Sequence, residues 1–144
     1  MRYKILLFTA FLLYGTFAFA KDRMTFIYYY GWYGNPAYDF EWSHWQENDH
    51  EPPWDLASSF YPKLGAYSSR DPAIIDLHMK WIAQMNVDAV VFSWWGRKDP
   101  THKVAELVLD AAARYGLKVA FLIEPYPGRS TKKICDDIEL LTRT

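Results

Sequence analysis

The chain has 144 residues, a formal net charge of −1 and no basic block, so nucleic acid is not an expected partner. A single cysteine, Cys135, excludes an internal disulfide framework. The unusual feature is an aromatic content of 19%, with seven Trp and eleven Tyr. Tryptophans set among Tyr, Asn, Asp and His suit a ligand with apolar faces and hydroxylated edges, which is the character of a sugar.

The N-terminus carries an export pattern. Arg2 and Lys4 form a short basic region, Ile5 to Phe17 is almost wholly apolar, and Ala18-Phe19-Ala20 supplies small residues at −3 and −1. Residues 1–20 are therefore expected to be a signal peptide, with Lys21 opening the mature chain and residues 21–144 forming one domain. The apolar run is shorter than the roughly 20 residues of a membrane span, so no stable membrane association is expected unless the signal stays as an uncleaved anchor. No cysteine follows it closely, which excludes a bacterial lipoprotein site.

Thr25 to Tyr30 is β-branched and aromatic and reads as a strand. From Gly31 to Arg70 the chain is punctuated by Gly, Pro, Asn and Asp and is expected to be irregular. A helix then opens with Asp71 as N-cap and Pro72 at the first helical position. Ile74, Ile75, His78, Met79, Trp81, Ile82 and Met85 follow at helical spacing and predict one buried face, with Arg70 and Asp71 bracing the start. Val87 to Ser93 is a continuous apolar run, as expected of a buried parallel strand. The spacing predicts a second helix over Lys103 to Tyr115, stopped by Gly116. Leu117 to Ile123 is a third strand, broken at Glu124-Pro125, and Ser130 to Leu141 begins a third helix. Alternation of β and α implies a parallel sheet with crossover helices. Three units alone do not decide between an open doubly wound sheet and a barrel.

Working groups in parallel α/β folds gather at the carboxyl ends of strands. Those ends are Tyr29-Tyr30-Gly31-Trp32-Tyr33, Ser93-Trp94-Trp95-Gly96 and Glu124-Pro125-Tyr126. All three are aromatic and one carries a carboxylate. His44 and His50 lie six apart, but no cysteine or repeated carboxylate spacing completes a metal set, so no metal and no cofactor are expected. Tyr28 and Tyr29 are expected to be structural and His78 a core histidine.

The same residues carry a family resemblance. YYYGWYGNP (28–36), the spacing of Asp39, His44 and Trp45, SSFYPKLGAYSSRDPAIIDLHM (58–79), SWWG (93–96) and KVAFLIEPY (118–126) resemble glycoside hydrolase family 99. That is the family of glycoprotein endo-α-1,2-mannosidases and bacterial endo-mannan hydrolases. The resemblance implies the N-terminal portion, about three βα units, of a (β/α)₈ TIM-type barrel. A complete barrel of this type runs to about 250 residues, so the chain is expected to be a truncated portion. It further implies retaining cleavage of internal α-1,2-mannosidic bonds in N-glycans or mannans, with a mannose-containing oligosaccharide or polysaccharide as partner.

The family's two catalytic carboxyl groups belong to an N-E-W-x-E-like motif late in the barrel, which these 144 residues do not contain. No catalytic residue is therefore assigned, and the chain alone is expected to be inactive. The resemblance instead implies substrate-binding roles for Tyr30, for Trp32, Tyr33, Asn35 and His44 in the first loop, for Trp94 or Trp95, and for Glu124, with Tyr126 beside it. Phe40 and Ala57 replace glycines of the family's first loop, Leu122 replaces a histidine before I-E-P-Y, and the stretch between Trp45 and Pro52 is short. A secretory-pathway location is expected, secreted or periplasmic, or the Golgi lumen if the anchor is retained. The competing expectations are a non-catalytic mannose-binding remnant and a barrel hydrolase acting on another polysaccharide.

Overall fold

A computed structural model describes residues 23–143, so the signal-peptide expectation for residues 1–20 lies outside the described residues. Each of the three apolar runs is a strand: β1 is Phe26–Tyr30, β2 is Ala89–Trp94 and β3 is Lys118–Ile123. They pair in the order β1-β2-β3, both pairs parallel. A four-residue helix α1 (Pro36–Asp39) interrupts the first loop. Helices α2 (Pro72–Gln84), α3 (Thr101–Arg114) and α4 (Thr131–Thr142) follow the three strands in turn.

Register and strand alternation give the sheet two unlike faces. Ile27, Val90 and Val119 lie in one row, and Tyr29, Phe92 and Phe121 in the next, with Trp94 beside Ile123 at the end. These rows pack under Ile75, Met79 and Ile82 of α2 and Val104, Val108, Ala111 and Ala112 of α3. Because α2 and α3 also contact one another, both cover the same face. A doubly wound sheet would place helices on both faces. Sequential strand order with one-sided helices is the arrangement of a barrel wall.

Local chemistry explains the helix starts. Asp71 caps α2 by accepting from the Ala73 amide at 2.9 Å, and Pro72 occupies the first turn where no amide is needed. The buried stripe of α2 is narrower than its sequence suggests. Ile75, Met79 and Ile82 are buried, whereas Trp81 and Met85 are exposed. Helix α3 starts earlier than expected because the Asp99 carboxylate accepts from both the amide and the hydroxyl of Thr101, at 2.8 and 2.7 Å. Gly116 follows α3 at φ +69°, as its terminator position requires. Ser130 caps α4.

The segment expected to be irregular has its own framework. Asn35 caps α1 by accepting from the Tyr38 amide and donates its side-chain amide to the Ala66 carbonyl at 2.9 Å. Asp39 accepts from the Asn35 amide at 2.8 Å and from Arg70 at 2.7 Å. Arg70 thus locks α1, while the bracing of α2 expected of it falls to Asp71 alone. Buried Trp45 stacks on Tyr33 with centroids 4.1 Å apart and donates its indole N–H to the Tyr67 carbonyl at 2.9 Å. The Ser69 amide donates to the Tyr33 carbonyl at 2.8 Å and the Tyr33 amide to Ser69 Oγ at 3.2 Å, which draws the loop ends together.

Candidate functional site

Tyr30, Ser93 and Leu122 are register partners on the face of the sheet that the helices leave uncovered. At their carboxyl ends two groups of side chains meet. The first is a stack: Trp32 lies between Tyr30 and His44, each ring 4.7 Å away and tilted by 23°. The second is a hydrogen-bonded set. The indole N–H of Trp95 donates to Ser93 Oγ at 3.1 Å, and the Ser93 hydroxyl donates to Glu124 Oε1 at 2.9 Å. The Trp32 and Trp95 rings join the two groups, with centroids 6.2 Å apart.

His44 is held in an unusual way. Its backbone has φ +62°, a left-handed conformation uncommon for any residue with a side chain. Its Nδ1 is 2.5 Å from Glu47 Oε1, in the short 3₁₀ turn Glu47–Asp49, which fixes the ring and leaves Nε2 for another partner. The Trp32 indole N–H is buried and has no acceptor among the described residues. An orphaned buried donor of this kind costs about 1–3 kcal/mol.

The structure divides the nine residues expected to bind. Tyr30, Trp32, His44, Trp95 and Glu124 converge on the uncovered face. Trp94 does not, because strand parity turns it to the helix side and leaves Trp95 beside Trp32. Trp94 is 0% exposed beneath α3, with its indole N–H directed at His102 Nδ1 at 3.3 Å. Tyr33 packs between Trp45 and Tyr67 as a support for the first loop. Asn35 spends its side chain on α1 and Ala66, so it shapes the loop and does not reach the cluster. Tyr126 packs edge-on against Trp94 on the helix side, with centroids 6.1 Å apart, and its hydroxyl donates to Asp137 of α4.

Tyr28, expected with Tyr29 to be core or structural, lies on the uncovered face. It stands 61% exposed beside Tyr30, whereas Tyr29 is bonded to His78. Two participants were missed by sequence reading. Ser93 links Trp95 to Glu124, and its only signal is a small polar residue at the end of an apolar strand. Glu47 orients His44, and its only signal is a spacing of three.

Behind the cluster the polar groups are tuned by burial. Tyr29 donates to or accepts from His78 Nδ1 at 3.0 Å. Burial drives the Tyr29 phenol far above its ordinary pKa and lowers that of the His78 imidazole. Burial, with Tyr33 adding to it, pushes the Tyr67 phenol up to about 12. These groups are neutral at physiological pH and act as packing and hydrogen-bonding supports. Among the described residues, no group of three or more His, Cys, Asp and Glu is arranged to hold a metal ion.

Comparison with known proteins gives these residues a family. The chain is 37% identical over 136 residues to the glycoprotein endo-alpha-1,2-mannosidase of Mus musculus, which covers 79% of this chain and 29% of the relative. It is 38% identical over 134 residues to the Xenopus laevis protein of the same name, covering 78% and 30%. It thus spans about three-tenths of these curated relatives' length. Among solved structures it resembles a GH99 endo-alpha-mannosidase from Bacteroides thetaiotaomicron, with TM-score 0.74 and 38% identity over 83% of this chain and 39% of that one. The parallel sheet and its one-sided helices correspond to part of that enzyme's barrel. Residues 20–144 match the sequence profile of glycosyl hydrolase family 99, and the chain belongs to that family.

Proposed function

We propose that this chain forms the substrate-holding side of a retaining endo-α-mannosidase that cleaves internal α-1,2-mannosidic bonds of N-glycans or mannans. The observation that supports it is the Trp95–Ser93–Glu124 set facing the Tyr30–Trp32–His44 stack at the strand carboxyl ends. Aromatic faces accept the C–H face of a pyranose. Glu124 accepts one hydrogen bond from Ser93, and an ionised carboxylate has about four acceptor sites. Its remaining lone pairs are available to sugar hydroxyls.

Retaining hydrolysis needs two carboxyl groups about 5–5.5 Å apart across the scissile bond. Among the described residues, the strand ends bring Glu124 to the cluster, and Glu47 is engaged with His44. We therefore assign Glu124 to binding and the bond-breaking pair to the late motif of the family. The basic, apolar and small-residue order of residues 1–20 supports export into the secretory pathway. Among the described residues, no helix is long and apolar enough to cross a membrane.

Calorimetric titration of the full-length gene product with α-1,2-mannobiose tests the reading. Glu124→Gln keeps the side chain's shape and its bond from Ser93 but removes the charge, so affinity should fall about ten- to a hundred-fold. Unchanged affinity in this variant would sink the assignment. Hydrolysis of an α-1,2-mannoside by residues 21–144 alone, abolished by Glu124→Gln, would instead make Glu124 a catalytic group.

A further inference from the structure

Asp137, in the second turn of α4, is a buried carboxylate that stands behind the cluster, 3% exposed. Arg97 donates from Nε to its Oδ1 at 2.8 Å, and the Tyr126 hydroxyl donates to its Oδ2. These partners hold matching places in two different loops. Arg97 follows Trp95 by two residues, and Tyr126 follows Glu124 by two. In front, Ser93 joins Trp95 to Glu124; behind, Asp137 joins the residues two places further on. The last backbone rung between the strands is the Glu124 amide donating to the Trp94 carbonyl at 2.9 Å. Beyond it, among the described residues, the two loops meet through side chains. The Tyr126 ring lies on Gly96, where a Cβ would meet it at 3.1 Å and where φ is +101°, a conformation that favours glycine.

A carboxylate buried to this degree is costly unless it is paired, so the pairing holds both anchors firmly to α4. Arg97 also donates from Nη2 to the Asp136 carbonyl at 2.5 Å, which gives its guanidinium two points of attachment on that helix. A single residue separates each site group from its anchor, Gly96 in one loop and Pro125 in the other. Movement at either anchor therefore passes to Trp95 or to Glu124. The Ser93–Glu124 bond is 2.9 Å long, and a shift of about 0.7 Å would carry it beyond hydrogen-bond range. We infer that Asp137 is a positioning residue for the glycan-binding set, fixing the spacing of Trp95 and Glu124 by tying the loops behind them to one point on α4. It acts through those two side chains and not on the sugar. The inference rests on the glycan-binding reading above.

Titration of the full-length gene product with α-1,2-mannobiose, in the native and the Glu124→Gln backgrounds, tests it. Asp137→Ala should weaken binding by the native protein about tenfold, as expected for the loss of one hydrogen bond to a charged group. In the Glu124→Gln background the same substitution should cost about twofold or less, a coupling that a double-mutant cycle reads directly. Asp137→Asn keeps an acceptor for Arg97 and a polar atom beside the Tyr126 hydroxyl, and should recover most of the affinity. An equal loss in both backgrounds would show that Asp137 supports the fold in general, and unchanged affinity in Asp137→Ala would show that the loops hold without it. Either result overturns the inference and leaves the glycan-binding reading intact. Should Asp137→Ala fail to fold, Tyr126→Phe carries the test, because it removes one tie and keeps the ring on Gly96. It should cost about threefold in the native background and nothing further in Glu124→Gln, and equal effects in the two, or none in either, would overturn the inference as well. Native protein that binds no mannobiose would remove the glycan-binding reading, and this inference with it.

Discussion

Tyr29 and Tyr30 are adjacent in the chain and do opposite work. Strand alternation points Tyr30 into the open face, where it stacks on Trp32, and Tyr29 under the helices, where it meets His78. Trp94 and Trp95 divide in the same way one strand further on. The buried partner of Tyr29 has a measurable consequence. Burial lowers the His78 pKa below its value near 6.5 in the unfolded chain. Protonation then favours the unfolded state, so the contribution is complete above about pH 6.5 and is lost as pH falls below it towards the folded pKa. The thermal midpoint of the full-length gene product should drop between pH 7 and pH 5. His78→Asn keeps an acceptor near the Nδ1 position without the charge and should flatten that drop. An unchanged slope in the variant would show that another group titrates.

Helix α1 is only four residues long, far below the length at which a helix is stable by itself. It persists because Asp39, with 1% of its side chain exposed, gathers the Asn35 amide and Arg70. Burial opposes ionisation of Asp39, but hydrogen bonds from Arg70, Ser68 and the Asn35 backbone outweigh it and hold the carboxyl below the usual range. Asp39→Ala should cost about 2 kcal/mol, because Arg70 is left without its partner while retaining some solvent. Limited proteolysis should then cut between residues 40 and 61 faster than in the native chain, and an unchanged digestion pattern would refute this role. The strands and the three long helices were legible because their signals are local: apolar runs, caps at Asp71 and Ser130, and a stop at Gly116. The site was legible only as a location. Which of Trp94 and Trp95 turns to the uncovered face depends on sheet register. The Ser93–Glu124 bond joins positions 31 apart, which no periodicity reveals. The same limit explains the overestimated stripe of α2, where Trp81 and Met85 keep helical spacing but stay exposed.

At the scale of the whole molecule the two sheet faces are unequally served. Val90, Phe92 and Trp94 are fully buried under α2 and α3, whereas on the opposite face Phe26, Tyr28, Tyr30 and Leu122 are all exposed. Among the described residues only β2 is flanked on both sides, so β1 and β3 each present a row of backbone groups without a strand partner there. An apolar face bordered by open edges is a template for association with other chains. Residues 21–144 taken alone are therefore expected to self-associate, with sedimentation velocity showing species that grow with concentration. Hydrogen exchange should be slowest in β2 and faster along the free edges of β1 and β3. Replacing Tyr28 by Glu and Leu122 by Lys puts charge on the open face without touching the helix-side core, and should reduce the association. A monomer of residues 21–144 that unfolds cooperatively above about 45 °C, at the level of ordinary mesophilic domains, would contradict this account. It would show that three βα units can stand as a domain, because the helix-side core would then be sufficient without a closed barrel.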